Sequence, residues 1–398
     1  MAQETPPFKL VPFAAGAYIV LEGEKKANSF YIIREGKVNL KRDYAAVGER
    51  SSQVLGPGDF FGVVAAMSQY PQIESAIAMS KCLLISVAYN RFGVLIQKNP
   101  VLAMKIIRYF SKRLREMNLS SRSDGGAESS ITDSNSLAVL FDMAENYFNL
   151  GNIESAIYLY QSYIKYLPAG EYTAKCKEKL EMLNAPVEIK NESQETHRNY
   201  PSNQMIFCEN EPGNDMYIIQ KGKIKITKMI EGRDITLGIL KQGDIFGEMS
   251  LIDNKPRSAS AITTEQVALL AINKKNFEGM VKTQPQLMTR IIVILSERVW
   301  DSYRKLANTM IKDVNGRIAD MLLTLVEKSR VKVAPRANYD FQLNVVEFLK
   351  MMGLSDRDLG LFQKFTKANG FVRIDRGNII CSDLALLERL VYTYREER

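Results

Sequence analysis

Histidine is nearly absent from this 398-residue sequence, in which His197 is the only one. It lies in a polar stretch without a neighbouring cysteine or second histidine. We therefore expect neither a Ser-His-Asp or Cys-His catalytic site nor a histidine-built metal site. The four cysteines are far apart and form no C-x-x-C pair, which argues against a disulfide framework or an iron–sulfur cluster. We predict that the protein is not an enzyme and holds no cofactor.

Long apolar runs are also missing. The longest clear one, Ile291–Leu295, is far shorter than the ~20 residues needed to cross a membrane. The first ten residues lack the basic and apolar regions of a signal peptide. These features predict a soluble, cytoplasmic protein without a membrane partner. The formal charge of +8 permits an anionic partner, although a mild excess of this kind more often serves solubility alone.

The most informative pattern is an internal repeat. The segment Tyr31–Lys37, Y-I-I-R-E-G-K, recurs as Y-I-I-Q-K-G-K at Tyr217–Lys223, and Gly58–Gly62, G-D-F-F-G, recurs as G-D-I-F-G at Gly243–Gly247. In each copy, short apolar segments alternate with Gly, Asn and Asp, which is typical of a compact antiparallel β-roll or jelly roll. Each copy ends in a helical pattern. The chain is thus predicted to be a multidomain α+β protein in which one domain occurs twice.

Between the two copies the pattern is helical. Small and large residues over 137–170 follow the spacing of one 34-residue helix–turn–helix unit, and the segment resembles a tetratricopeptide repeat. Polar linkers are predicted on either side, at 119–136 and 184–199. A single unit of this kind cannot bury its own core, so it must pack on something else. Both an α-helical hairpin that acts as a spacer and a groove for a protein partner fit the segment 137–183.

The strongest chemical signal is the segment Phe246–Ala261, F-G-E-M-S-L-I-D-N-K-P-R-S-A-S-A. A short helix opening after Gly247 would present free N–H groups to an anion. Arg257 would bind a phosphate through charged hydrogen bonds, and Glu248 would accept hydrogen bonds from a ribose hydroxyl. Ser258 adds a hydroxyl donor.

This segment closely resembles the phosphate-binding cassette of cyclic-nucleotide-binding domains. The resemblance implies a cyclic nucleotide, cAMP or cGMP, as the effector. It places Glu248 on the ribose 2′-hydroxyl, and Arg257 and Ser258 on the cyclic phosphate. The residues assigned to the ligand in this segment are Gly247, Glu248, Met249, Ser250, Arg257 and Ser258.

The equivalent segment of the first copy, Phe61–Ala76, lacks these groups. Val63 replaces the Glu, Gln72 replaces the Arg and Ile73 replaces the Ser. Since each charged hydrogen bond contributes ~1.5–3 kcal/mol, a site without them is expected to bind such a ligand orders of magnitude more weakly. We predict that the first copy keeps the fold and binds no cyclic nucleotide.

A long connecting helix is predicted over 284–311, with apolar residues at the 4-3 spacing of a coiled-coil seam. In the resembled family this helix pairs two subunits, and a hydroxyl on it meets the nucleotide base. The resemblance makes Ser302 the first candidate for that contact and Tyr303 the second, and it implies a homodimer through this helix. The first copy has its own seam over Ala103–Met117, so pairing of the two copies within one chain is the alternative.

The segment Asp313–Glu327, D-V-N-G-R-I-A-D-M-L-L-T-L-V-E, closely resembles the start of the DNA-binding domain of Crp/Fnr-type regulators. That family continues with a winged helix-turn-helix. Accordingly, Val345–Met352 is predicted as the first helix of the motif. A recognition helix capped by Ser355 is predicted to run to about Ala368, and 371–381 is predicted to form the β wing.

Recognition helices of this family that bind DNA often begin S-R-(E/D)-T-V-x-R, with the Arg residues reaching guanine edges. Here Asp356 and Leu361 stand at those two Arg positions, and 312–398 carries 15 Lys/Arg against 12 Asp/Glu. Both a DNA-binding domain and a winged helix that contacts protein fit this pattern. The residues predicted to contact DNA are Ser355, Arg357, Lys364, Lys367 and Arg376.

The predicted plan has six segments: a degenerate sensor domain (1–118), a flexible linker (119–136), a tetratricopeptide-like insert (137–183), a linker (184–199), a cyclic-nucleotide-binding domain with its long helix (200–311) and a winged helix (312–398). The predicted function is a ligand-gated transcriptional regulator that binds a cyclic nucleotide in its second sensor domain and DNA through the winged helix. The alternative is a nucleotide-sensing signalling adaptor that contacts proteins and does not bind DNA.

Overall fold

The computed structural model describes residues 8–25, 27–42, 51–120, 133–188, 195–230 and 232–396. Contacts within the chain divide it into two compact units. Unit 1 comprises Met1–Leu95, Glu116–Arg122 and Leu295–Arg398, and unit 2 comprises Ile96–Arg115 and Ser123–Ile294. Unit 1 therefore contains the sheets of the first repeat and the last part of the long helix of the second repeat. Unit 2 contains the sheets of the second repeat and most of the long helix of the first repeat.

The first repeat, whose sheets lie in unit 1, folds into two four-stranded antiparallel sheets. Its elements are β1 (Phe8–Phe13), β2 (Tyr18–Val20), β3 (Ser29–Glu35), β4 (Val38–Lys41), β5 (Ser52–Leu55), β6 (Phe60–Phe61), α1 (Val63–Ser68), β7 (Ser75–Ala78), β8 (Cys82–Ala88), α2 (Phe92–Lys98) and α3 (Pro100–Ser120). The sheet orders are β1-β8-β3-β6 and β2-β7-β4-β5. Alternate residues such as Ile33, Val38 and Leu84 point between the sheets and form the core.

The insert in unit 2 consists of three helices: α4 (Asp133–Asn149), α5 (Ile153–Tyr166) and α6 (Thr173–Met182). Asn152 caps α5 by accepting the Ser155 N–H. The buried cluster of these helices also includes Met205, Cys208 and Ile262 of the second repeat. The insert therefore completes its core against the second β-roll.

The predicted linkers are too long at their ends. Helix α3 continues to Ser120 and α4 begins at Asp133, so both ends of 119–136 are helical. The central part, 121–132, lies outside the described residues. The second linker, 184–199, also contains 189–194, which are not described, and the first residues of a strand that begins at His197. Helix α4 begins with the polar residues Asp133–Ser136, which show no apolar periodicity. The predicted start at residue 137 was therefore four residues too late.

The second repeat has the same topology, with its sheets in unit 2. Its elements are β9 (His197–Tyr200), β10 (Met205–Phe207), β11 (Asp215–Lys221), β12 (Ile224–Ile230), β13 (Arg233–Leu240), β14 (Ile245–Phe246), α7 (Glu248–Asp253), β15 (Ser260–Thr263), β16 (Val267–Asn273), α8 (Lys274–Thr283) and α9 (Pro285–Thr309). The sheet orders β9-β16-β11-β14 and β10-β15-β12-β13 match those of the first repeat strand for strand. The predicted long helix is α9.

The glycine of the Y-I-I-x-x-G-K segment is required by the backbone in both repeats. Gly36 and Gly222 follow β3 and β11 at φ 93° and 89°. A Cβ at Gly36 would lie 2.5 Å from the carbonyl oxygen of Lys81, and one at Gly222 would lie 2.6 Å from that of Gln266. Both the left-handed backbone and the close approach of a neighbouring chain therefore require glycine at this turn.

The C-terminal domain, in unit 1, has four helices and a three-stranded sheet. Its elements are α10 (Val314–Lys328), β17 (Tyr339–Asp340), α11 (Val345–Met351), a 3₁₀ turn (Asp356–Asp358), α12 (Leu359–Ala368), β18 (Val372–Asp375), β19 (Asn378–Cys381) and α13 (Leu384–Glu396). The sheet order is β17-β19-β18. Phe348 of α11 packs edge-on against Phe362 of α12, with ring centroids 5.5 Å apart.

The predicted cap of the recognition helix is wrong. The Ser355 hydroxyl does not cap the helix: the Ser355 N–H and hydroxyl both donate to the Asp358 carboxylate, at 2.8 and 2.9 Å, while the Ser355 carbonyl accepts the Asp358 N–H at 2.9 Å. A carboxylate is a stronger acceptor than a hydroxyl. The three residues after Ser355 therefore form a 3₁₀ turn, and α12 begins only at Leu359.

A buried polar cluster joins α9 to the C-terminal domain within unit 1. Asp320 of α10 accepts hydrogen bonds from Arg304 (3.2 Å) and Asn308 (3.1 Å) of α9 and from Arg395 (2.5 Å) of α13. Burial acts to raise the pKa of Asp320, but the charges of Arg304 and Arg395 outweigh it and hold the pKa below its ordinary value. Three helices thus share one carboxylate.

No helix in the described ranges is long and apolar enough to cross a membrane.

Candidate functional site

The predicted phosphate segment folds into a turn and one short helix in unit 2. Gly247 has φ 73° and turns the chain from β14 into α7, which begins at Glu248. The Ser250 hydroxyl donates back to the Gly247 carbonyl at 3.1 Å. Ser258 lies beside Met249, with its hydroxyl 3.7 Å from the thioether sulfur. The six residues assigned to the ligand in this segment are therefore brought together.

Arg257 is the charged centre of this group and is only 5% exposed. Its Nη1 donates to the Gly247 carbonyl and to the Ser250 hydroxyl, both at 2.7 Å, and its guanidinium lies 4.0 Å from the centre of the Phe207 ring. Its Nε has no partner among the described residues. Burying a cation is costly unless it is paired. A guanidinium held by neutral groups, with a donor to spare, is prepared for an anion.

The sequence reading missed two residues that support Arg257. The Arg257 N–H donates to the Glu211 carbonyl at 2.8 Å, and the Asn210 N–H donates to the Arg257 carbonyl at 2.9 Å. The loop 208–213 therefore runs beside the arginine. Its Gly213 is so close that a Cβ there would lie 2.3 Å from Arg257 Nε. Neither Asn210 nor Glu211 belongs to the cassette segment, and no local sequence pattern connects these two residues to it.

Replacing Gly213 with Ala is therefore expected to displace Arg257. Loss of one charged hydrogen bond to a ligand phosphate corresponds to a fall of about tenfold or more in affinity. Gly238→Ala on β13 is the matched control, because a Cβ there meets no atom within 4 Å. Isothermal titration of both variants with cAMP and cGMP tests this. Equal affinities for the two variants would contradict the placement of Arg257 in the ligand site.

The first repeat has the same turn but different chemistry. Gly62 has φ 73° and precedes α1, as Gly247 precedes α7. Gln72 is buried near Gly62, and its Oε1 has no partner among the described residues. Arg42 and Glu74, both buried, pair with each other at 3.0 Å. The fold of the site is retained without the charged groups that the second repeat carries.

Protein groups cover the end of this first cassette, within unit 1. Trp300 of α9 donates from Nε1 to the Pro71 carbonyl at 3.0 Å, and its ring centroid lies 4.6 Å from that of Tyr70. Arg330, which follows α10, donates to the Ser68 carbonyl at 3.0 Å. Lys25 forms an ion pair with Glu388 of α13. The first repeat thus binds both the long helix of the second repeat and the C-terminal domain.

The second cassette is held in a related way within unit 2. Arg115 of α3 binds both carboxylate oxygens of Asp253, at 3.0 and 3.1 Å, and donates to the Pro256 carbonyl at 3.2 Å. Arg115 and Pro256 correspond through the repeat to Trp300 and Pro71. In each unit, the long helix of one repeat therefore contacts the cassette of the other.

Ser302 and Tyr303, the candidates for the base contact, lie on the part of α9 that belongs to unit 1. The Tyr303 hydroxyl donates to Glu22 of the first repeat at 2.6 Å. Ser302 is half-buried. Their contact with a base in the second repeat stays a prediction, as does a homodimer through 284–311.

The residues predicted to contact DNA lie at the surface of the C-terminal domain. Arg357 is exposed in the 3₁₀ turn, and Lys364 and Lys367 are exposed on α12. Arg376, at φ 49°, is at the tip of the β18–β19 hairpin. Ser355 is exposed and bound to Asp358. These side chains place four cations on the turn, the helix and the hairpin.

Comparison with known families agrees with this geometry. The family described as "Cyclic nucleotide-binding domain" matches residues 10–99 and, again, residues 197–284. Both repeats are therefore cyclic-nucleotide-binding domains, of which the second carries the charged groups of the cassette.

Two curated relatives and one solved structure each match about half of this chain. It is 27% identical over 191 residues to the CRP-like cAMP-activated global transcriptional regulator of Mycobacterium tuberculosis, covering 48% of this chain and 85% of that protein. It is 27% identical over 196 residues to the cyclic AMP receptor protein of Thermus thermophilus, covering 49% and 88%. The catabolite activator protein of Thermus thermophilus matches with a TM-score of 0.28 at 27% identity, covering 50% and 90%.

Proposed function

We propose that this protein is a ligand-gated transcriptional regulator whose effector is a cyclic nucleotide bound by the second repeat. The observation that carries the proposal is Arg257, a buried guanidinium fixed by Gly247 and Ser250 with an unpartnered Nε. It would bind the cyclic phosphate together with Ser258, while Glu248 would bind the ribose hydroxyl. The two cAMP-dependent relatives support this assignment of the ligand class.

Helix α9 is the element through which the ligand would act on the C-terminal domain. It begins in the unit that holds the cassette and ends in the unit that holds α10 to α13. Its last part is tied to α10 through Arg304 and Asp320. A ligand shifts a conformational equilibrium only through its different affinities for the two states. We propose that the liganded state favours one position of α9 and so of the winged helix.

The C-terminal domain would bind DNA as a winged helix-turn-helix. In this assignment α11 and α12 form the helix-turn-helix and the β18–β19 hairpin forms the wing. Lys364 and Lys367 are placed for phosphates, and Arg357 for a base edge. The protein would therefore bind DNA mainly through phosphate contacts.

A gel-shift series with genomic DNA fragments tests the DNA-binding part. We expect retardation at low salt that strengthens with cAMP or cGMP and falls steeply as salt rises. The double variant Lys364→Ala, Lys367→Ala is expected to lower the salt slope by about 2, since each phosphate contact contributes about 1. Lys175→Ala, Lys177→Ala on α6 serves as a charge-matched control with an unchanged slope.

The same gel-shift series distinguishes this regulator from the second candidate function, a nucleotide-sensing adaptor that does not bind DNA. The feature that favours it is the acidic start of the recognition segment, where Asp358 holds Ser355 and Asp356 stands at an expected Arg position. If the chain binds nucleotide but retards no fragment at low salt, the adaptor is correct and the regulator is wrong.

A further inference from the structure

The helical insert contacts the second repeat directly behind the phosphate site. The hydroxyl of Tyr158, on α5, donates to Glu211 Oε2 at 3.0 Å and lies 3.3 Å from the carbonyl oxygen of Ile206. Glu211 is 2% exposed. The N–H of Cys208 donates to the same carboxylate oxygen at 2.7 Å. Tyr158 of the insert therefore supplies one of the hydrogen bonds that hold this carboxylate.

Glu211 is also the acidic neighbour of Arg257. Their backbones are joined by the Arg257 N–H and the Glu211 carbonyl, 2.8 Å apart. Burial raises the pKa of Glu211, and the hydrogen bonds from Ser162, Cys208 and Tyr158, together with the positive charge of Arg257, act in the opposite direction. Arg257 Nε has no partner among the described residues. The carboxylate and the guanidinium are thus close, oppositely charged and held apart.

We propose that Tyr158 is a positioning residue for the phosphate site, which acts by holding the Glu211 carboxylate away from Arg257. This inference rests on the proposed nucleotide binding by the second repeat. Without the hydroxyl, the carboxylate keeps its hydrogen bonds from Ser162 and the Cys208 N–H but loses one of its side-chain donors, and it can then turn toward the unpartnered Nε of Arg257. A guanidinium paired with a carboxylate is less available to a phosphate. The insert therefore tunes nucleotide affinity as well as completing a core.

The test is Tyr158→Phe in the full chain, titrated with cAMP and cGMP in a calorimeter. We expect affinity to fall about tenfold, the equivalent of one charged hydrogen bond. Tyr147→Phe is the matched control. Tyr147 also reaches from the insert to the second repeat, but its hydroxyl contacts Asp234 and Thr227 and no residue of the cassette. We expect Tyr147→Phe to bind within twofold of wild type.

A double-mutant cycle with Glu211→Gln distinguishes positioning from a loss of packing. A neutral amide does not compete for Arg257, so Tyr158→Phe is expected to change affinity less than twofold in the Glu211→Gln background. An equal loss in both backgrounds would overturn the inference. If wild type binds nucleotide and Tyr158→Phe binds as tightly, the inference fails and the proposed function stands. If wild type binds none, the proposed function itself fails.

Hydrogen exchange on the wild-type chain gives a second measurement that does not depend on any variant folding. Coupling between two sites is reciprocal. Nucleotide is therefore expected to slow exchange in α5 around Tyr158, and to leave exchange in α6 unchanged. Equal exchange in α5 with and without bound nucleotide would contradict the coupling.

Discussion

Arg257→Gln is expected to abolish measurable nucleotide binding. The side chain would make at least two charged hydrogen bonds to a cyclic phosphate, and each contributes about 1.5–3 kcal/mol. Their loss corresponds to a fall in affinity of about 10²- to 10⁴-fold. The variant is expected to fold, because glutamine keeps an N–H donor for the Gly247 carbonyl and the Ser250 hydroxyl that hold the guanidinium. Calorimetry with cAMP and cGMP measures both the affinity and the stoichiometry.

Gln72→Ala in the first repeat is the matched control for this experiment. Gln72 occupies the position that corresponds to Arg257 and is equally buried. We expect wild type and Gln72→Ala both to bind one nucleotide per chain with the same affinity. Binding of two nucleotides per chain would show that the first repeat is a functional site. Binding by Arg257→Gln within threefold of wild type would show that the phosphate is held elsewhere.

Asp320→Asn is expected to cause the largest loss of stability. It leaves the buried guanidinium of Arg304 with Glu327 as its remaining carboxylate, at 3.5 Å, and removes the carboxylate that Arg304 shares with the partly exposed Arg395. Removing one partner of a buried ion pair typically costs about 3–5 kcal/mol. Urea unfolding followed by the fluorescence of Trp300, the only tryptophan, reports on this unit. Lys328→Ala, which breaks the exposed ion pair with Asp301, is expected to cost at most about 1 kcal/mol.

The difference in unfolding free energy between wild type and Asp320→Asn is expected to depend on pH. The pKa of Asp320 is lower in the folded chain than its ordinary value, so the ionised carboxylate stabilises the fold above about pH 4. This stabilisation is lost as the pH falls through the folded pKa. The difference in unfolding free energy between wild type and Asp320→Asn is therefore expected to be constant above that range and to narrow below it. A difference that does not change with pH would place the stabilising role elsewhere.

Local patterns were enough to predict the repeat, the cassette and its degenerate counterpart. The turn at Gly36 and Gly222 needs a positive φ and has no room for a Cβ, so glycine stands at this position in both copies and makes the repeat visible in the sequence. Charged groups such as Arg257 have few structural roles at such a turn. Both repeats also form the antiparallel sheets that their alternating apolar segments predict.

Contacts between distant segments could not be predicted. Arg115 on α3 reads as an exposed helix residue, and nothing near it indicates that it binds Asp253, 138 positions later. Tyr158 likewise reads as a core residue of the insert. The cap at Ser355 was wrong for a local reason, because the competing acceptor, Asp358, is a carboxylate three residues away. Sequence spacing predicts which groups could form a hydrogen bond, and only the fold determines which of these bonds forms.

Under the proposed function, the contacts between the two repeats in each unit have a consequence for the shape of a DNA target. Regulators that pair two identical subunits present two recognition helices related by a two-fold axis, and their operators mirror that axis as palindromes. Here the cassettes of both repeats are already contacted by the long helix of the other repeat, and the chain has one C-terminal domain for its two sensor domains. Under the proposed function, a chain whose repeats pair with each other would contact one half-site and have no need of a palindrome, whereas a homodimer through 284–311 would need one.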